Sequence, residues 1–134
     1  MLIDSVRPYY LEQNYNCAES VIRGANDYYY LGLNDRDMIM AGGFGAGIQT
    51  GSTCGAFLSA VSVLSMMYVE KKAHESTDIG PVTKLLTEKF LKKTGSPECS
   101  VIKPVFFRPG TRCLATVEAA CAALEETIAE YGRK

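Results

Sequence analysis

The sequence predicts an all-α fold, a compact helical bundle of about five to six helices around a buried central helix built from small residues. Three observations predict it. Apolar residues recur three and four positions apart through most of the chain, and few stretches alternate at period two. Two helix-start signatures, Asn16 followed by Glu19 and Asn34 followed by Asp37, stand just before such segments. The stretch from Cys54 onwards reads CGAFLSAVSVLSMMYVEKK and is apolar nearly all round until its end, as in a helix enclosed by others. With 134 residues, 47% of them hydrophobic, the chain suits one domain over residues 1–134 that buries a core without disulfide staples.

The elements follow in order. A first helix includes Tyr9, Tyr10 and Leu11, and Asn16 with Glu19 opens a second from Cys17 to about Leu31, ended by Gly32. Asn34 with Asp37 opens a short helix through Met38, Ile39 and Ala41, after which a glycine loop begins at Gly42. Ser52 or Thr53 caps the central helix, whose Gly55, Ala56, Ser59, Ala60 and Ser62 let neighbours approach closely. The stretch HESTDIG is a surface loop, with His74 solvated among Lys71, Lys72 and Glu75. Pro81 takes a first helical position, and a helix runs through Leu85, Leu86, Phe90 and Leu91 to Gly95, with Lys92 and Lys93 suiting its negative end. Ser96 caps a short helix with Pro97 first and Cys99 in its first turn. Pro104 and Pro109 enforce a non-helical connection, and Thr111 caps a last helix from Arg112 to about Tyr131.

Composition narrows the function classes. The formal net charge of −1 arises from acids and bases spread along the chain, so nothing favours nucleic acid. Asp4 and Arg7 interrupt the opening MLIDSVRPYY where a secretory signal would be apolar, so a cytoplasmic protein is expected. The uncharged run from Cys54 falls short of a membrane span of about 20 residues and carries Ser59, Ser62 and Ser65, so the chain is not expected to be membrane-embedded. In a reducing compartment, the five cysteines read as reactive thiols, metal ligands or small core residues rather than structural bridges.

Cys17, Cys54, Cys99 and Cys113 each fall in the first turn of a separate expected helix, whereas Cys121 lies mid-helix and reads as core. Unpaired N–H groups and the positive end of the dipole favour an anion there, and can bring a thiol pKa from about 8.5 into roughly the 3.5–7.5 range. Gly43, Gly45, Gly47, Gly51 and Gly55 keep side chains away and let backbone N–H groups point at whatever the sulfurs hold, which makes them candidate cofactor-binding positions. There is no G-K-S/T, and Ile48 breaks G-x-G-x-x-G, so nucleotide binding is not expected; without a C-x-x-C pair, any site comes from distant segments.

The order Cys17, then C-G-A-F-L-S from Cys54, then Cys99 and Cys113, with N-C-A at Asn16 and G-F-G-A-G at Gly43, resembles the C_GCAxxG_C_C family of redox-active proteins over nearly the whole chain. The resemblance implies a small helical protein with a redox role, whose signature thiols are Cys17, Cys54, Cys99 and Cys113. Members of the family are often encoded near transporter genes, and a related domain in the split-Soret cytochromes looks like an iron–sulfur carrier. Ser59 stands where the motif's last glycine belongs, which leaves close packing at that turn open.

Three readings of function remain. In the first, the cysteines exchange thiols for disulfides with a redox partner protein, Cys54 being the low-pKa nucleophile behind its glycine loop and another cysteine resolving it. In the second, Cys17, Cys54, Cys99 and Cys113 are metal ligands of an iron–sulfur cluster or of zinc, against which stands the lack of any local ligand pair. In the third, the chain is a non-catalytic module that forms a homo-oligomer or docks to a transporter, using the small-residue helix and Tyr28, Tyr29 and Tyr30. No acid–base dyad names a reaction or a substrate.

Overall fold

The computed structural model describes residues 1–133, and among them every regular element is helical. Seven α-helices form: α1 (Leu2–Glu12), α2 (Cys17–Tyr29), α3 (Asp35–Met38), α4 (Gly55–Tyr68), α5 (Ile79–Thr94), α6 (Cys99–Phe106) and α7 (Leu114–Tyr131). The short helices expected after Asn34 and Ser96 both form, as α3 and α6, and counting them brings the total to seven rather than five to six. Short 3₁₀ turns cover Ile39–Phe44 and Ala73–Glu75. No helix among the described residues is long and apolar enough to cross a membrane.

α1 packs along α2, α5 packs along α7, and α4 lies between the pairs, touching α2, α5 and α7. The α1–α2 crossing is close because Gly24 has no side chain, since a Cβ there would sit 2.6 Å from the Cα of Val6. Leu2, Val6, Val21, Val63, Leu64, Val82, Leu86, Phe90 and Leu124 are fully enclosed between these helices. Each such side chain contributes about 1.5–3 kcal/mol on leaving water. Phe57 of α4 stacks on Phe90 of α5 with ring centroids 4.9 Å apart.

Gly55, Ala56, Ser59 and Ala60 are buried on one face of α4, as the small-residue pattern requires. The serine at the motif's last position keeps the close approach to α2, because its Oγ donates to the carbonyl of Ala18 at 2.7 Å. α4 is not enclosed all round. Ser62 and Ser65 are half-buried and donate to their own helix, while Met66 is exposed.

Both predicted capping boxes form, with Asn16 and Asn34 each accepting from the N–H three residues on. Other boundaries differ from the sequence reading, each for a physical reason. α2 ends at Tyr29, with Tyr30 left-handed at φ 55, because the Asn26 side chain both donates to and accepts from the backbone of Leu33 and folds the chain back. Cys54 itself, not Ser52 or Thr53, occupies the N-cap of α4, and that helix stops at Tyr68 rather than in the lysines. Pro81 is the third residue of α5, still within the first turn, where its missing N–H has no helical partner. α6 begins at Cys99 because the carbonyl of Pro97 accepts the Cys54 N–H, which holds Pro97 outside the helix. Pro104 sits inside α6; the carbonyl its ring leaves unpaired belongs to exposed Ser100, which water can reach. α7 begins two residues late, since Arg112 is left-handed at φ 55 and closes a turn back to Arg108.

Candidate functional site

Four cysteines stand at four helix starts. Cys17 and Cys99 are the first residues of α2 and α6, and Cys54 and Cys113 are the N-caps of α4 and α7. Long-range contacts bring these starts together. The Cys54 N–H donates to the carbonyl of Pro97 at 2.7 Å, and the Cys99 N–H donates to that of Ser52 at 2.6 Å, so two extended segments are stitched side by side. The Cys113 N–H donates to the hydroxyl of Tyr10 on α1 at 3.0 Å. Arg112 lies over the ring of the same tyrosine, 4.5 Å from its centroid, and donates to its carbonyl at 2.8 Å. Asn16 caps α2 and also donates to the carbonyl of Gly42 at 3.1 Å, which ties the start of α2 to the glycine segment.

The result is one cavity of about 330 Å³ lined by Cys17, Cys54, Cys99 and Cys113, together with Tyr10, Asn16, Lys103 and Arg112. All five cysteines of the chain are free thiols. Cys54 and Cys113 each lie within electrostatic reach of the other three cavity cysteines. Cys121 is buried in the core with 1% exposure and does not line the cavity.

The predicted glycines divide. Gly47 and Gly55 line the cavity, whereas Gly43, Gly45 and Gly51 are not among its lining residues. Gly45 makes room for the capping Asn16, whose Nδ2 would lie 2.5 Å from a Cβ. Gly43 has open space around it. Between Gly45 and Gly51 the chain makes a left-handed turn in which Ala46, Gly47, Ile48 and Gln49 all have positive φ. Three of these four are not glycine, and Ile48 is β-branched, a strained choice for this region. The turn aims the Ala46 N–H at the sulfur of Cys17, not at Cys54. Cys54 instead receives the N–H groups of Phe57 and Ala56 from its own helix.

The electrostatic expectation of lowered thiol pKa values is reversed at Cys17, Cys54 and Cys113. Burial pushes the Cys17 thiol up to about 12, outweighing the N–H groups of Ala46 and Ala18. Burial also pushes Cys54 up against its two helix N–H groups. Cys113 is raised by burial, opposed by Lys103, the Tyr10 hydroxyl and Arg112. At Cys17 and Cys54 desolvation wins over a few N–H dipoles because the thiolate loses its water shell while gaining only partial charges in return, and at Cys113 it outweighs even the two nearby cations.

Sequence reasoning missed Tyr10, Lys103 and Arg112. Lys103 had a signal, since it follows Cys99 by four residues and shares its helix face. Arg112 adjoins Cys113, but nothing local points to Tyr10.

As a metal centre the residues do not fit in this conformation. Among the described residues, no three His, Cys, Asp or Glu side chains gather closely enough to hold an ion, so the ligand set Cys17, Cys54, Cys99 and Cys113 lines one space without converging on a point.

Fold and site together define an all-helical protein that gathers thiols from separate helix starts into one cavity. The family model described as "Putative redox-active protein (C_GCAxxG_C_C)" matches residues 15–127, and the chain belongs to that family. No curated protein matches the chain, and no solved structure does.

Proposed function

We propose that the protein carries out thiol–disulfide exchange in the four-cysteine cavity. The observation that supports this reading is the gathering of free Cys17, Cys54, Cys99 and Cys113 around one space large enough for a small molecule. Reactive thiols sit in partly exposed, electropositive surroundings, whereas enclosed ones are inert. Cys113 answers that description: it is half-buried, and Lys103, Tyr10 and Arg112 all favour its thiolate. Cys54, at 5% exposure, does not, although the glycine loop before it suggested a nucleophile.

Cys113 therefore enters first. Its thiolate attacks one sulfur of a disulfide substrate, the S–S bond breaks, and the leaving thiolate takes up a proton. Cys54, within electrostatic reach of the other three thiols, gives up its own proton and displaces the second substrate sulfur from Cys113. The protein ends with a Cys54–Cys113 disulfide, oxidised by two electrons, and the substrate leaves as two thiols.

Peptide mapping after treatment of the reduced protein with bis(2-hydroxyethyl) disulfide tests this. The expected product is a Cys54–Cys113 bridge, with Cys113→Ser unreactive and Cys54→Ser trapped as a mixed disulfide on Cys113. An unchanged count of free cavity thiols, or a Cys113→Ser variant that cycles at the wild-type rate, refutes it.

A further inference from the structure

We infer that the cavity selects a low-molecular-weight disulfide carrying carboxylate groups, a substrate class that rests on the thiol-exchange reading above. The argument is one of charge. Lys103 and Arg112 line the cavity, and no Asp or Glu is among its lining residues. Neither cation forms an ion pair among the described residues, where the ion pairs involve Asp4, Asp35, Glu126 and Glu130. The chain as a whole has a formal net charge of −1, so this positive rim is a local feature and not the overflow of a basic protein.

Both cations are held where a ligand would meet them. The Lys103 ammonium lies 5.4 Å from the centre of the Phe107 ring, and Arg112 lies over Tyr10. One Arg112 nitrogen is occupied by the Tyr10 carbonyl, which leaves the other donors of the guanidinium for a carboxylate. At about 330 Å³ the cavity is at the small end of ligand pockets, a size for one compact molecule and not for a folded partner's disulfide with its flanking chain. An anionic disulfide entering between two unpaired cations is concentrated next to Cys113; a cationic one is repelled.

Three probes with the same reacting bond separate these cases: dithiodiglycolate (dianionic), bis(2-hydroxyethyl) disulfide (neutral) and cystamine (dicationic). Each rate is divided by the rate of the same disulfide with free 2-mercaptoethanol, which removes differences in leaving-group chemistry. At low ionic strength the normalised rates should fall in the order dianion, neutral, dication, with about a tenfold span that collapses in ~1 M salt. Lys103→Gln should narrow the span and Lys103→Arg restore it. Equal normalised rates, a preference for cystamine, or a preference that neither salt nor Lys103→Gln alters would overturn the substrate class while leaving thiol exchange intact. Failure of wild-type protein to react with any of the three would instead remove the thiol-exchange reading beneath it.

Discussion

Replacing Gly47 with alanine should destabilise the protein by about 2–5 kcal/mol, through two additive causes. Gly47 has φ +62, and an L-residue held in the left-handed region costs about 1–2 kcal/mol. A Cβ there would also lie 2.6 Å from the Cβ of Cys99 and 2.6 Å from both the nitrogen and the oxygen of Ser52. Two of those atoms are backbone and belong to the strip that stitches Ser52 to Cys99, so they cannot swing away as a side-chain tip would. Overpacking of that kind costs about 1–3 kcal/mol. The control is Gly43→Ala, four residues earlier in the same glycine-rich stretch, where a new Cβ meets nothing within 4 Å and which is not among the positive-φ glycines. Urea denaturation of the two variants beside wild type should show Gly43→Ala within about 0.5 kcal/mol and Gly47→Ala several times that. Equal effects would refute the claim that tight backbone approach at Gly47, rather than general loop flexibility, explains why the glycines are there.

Three further outcomes follow from the geometry. Ile48→Gly should stabilise by about 0.5–1 kcal/mol, because a β-branched residue at φ 57 is released from strain while its half-exposed side chain gives up little burial; a loss of stability in the same urea assay would show that the side chain matters more than the strain. Ser59→Ala should cost less than about 1 kcal/mol through the lost bond to Ala18, whereas Ser59→Val should cost about 1–3 kcal/mol by forcing α2 and α4 apart, and a neutral valine in thermal unfolding would contradict the close crossing. Stability should fall as pH rises from about 9, because burial holds Cys17 and Cys121 protonated up to about 12 while the unfolded chain titrates near 9.0. The stabilisation from protonated thiols is fully present below the unfolded value and is lost as pH climbs through the folded ones. Cys121→Ala should flatten the decline in urea midpoint, and a midpoint that is constant or rises above pH 9 would contradict the burial argument.

How much of this was legible along the chain depends on the range of each interaction. The Asn16 and Asn34 capping boxes were readable because donor and acceptor lie three residues apart. Gly95 ends α5 in the left-handed conformation for the same local reason. The helix starts at α4, α6 and α7 were displaced by one or two residues because distant groups competed for the same backbone: Pro97 surrendered its carbonyl to Cys54, and Arg112 turned left-handed over Tyr10. At Cys17, Cys54 and Cys113 the lowered pKa values expected from helix N-termini give way to raised ones, since burial is a property of the packed molecule and not of a helix end.

Periodicity, caps and cysteine placement along the chain were enough to establish an all-helical protein with Cys17, Cys54, Cys99 and Cys113 each at a helix start, because these properties depend on residues within about four positions of one another. Packing alone decided that the four starts share one cavity, that Lys103 and Arg112 face it without acidic partners, and that burial raises the thiol pKa values of Cys17, Cys54 and Cys113. Those outcomes rest on contacts such as Cys113 with Tyr10, 103 residues apart, where only the folded core determines which groups meet and how much water remains between them.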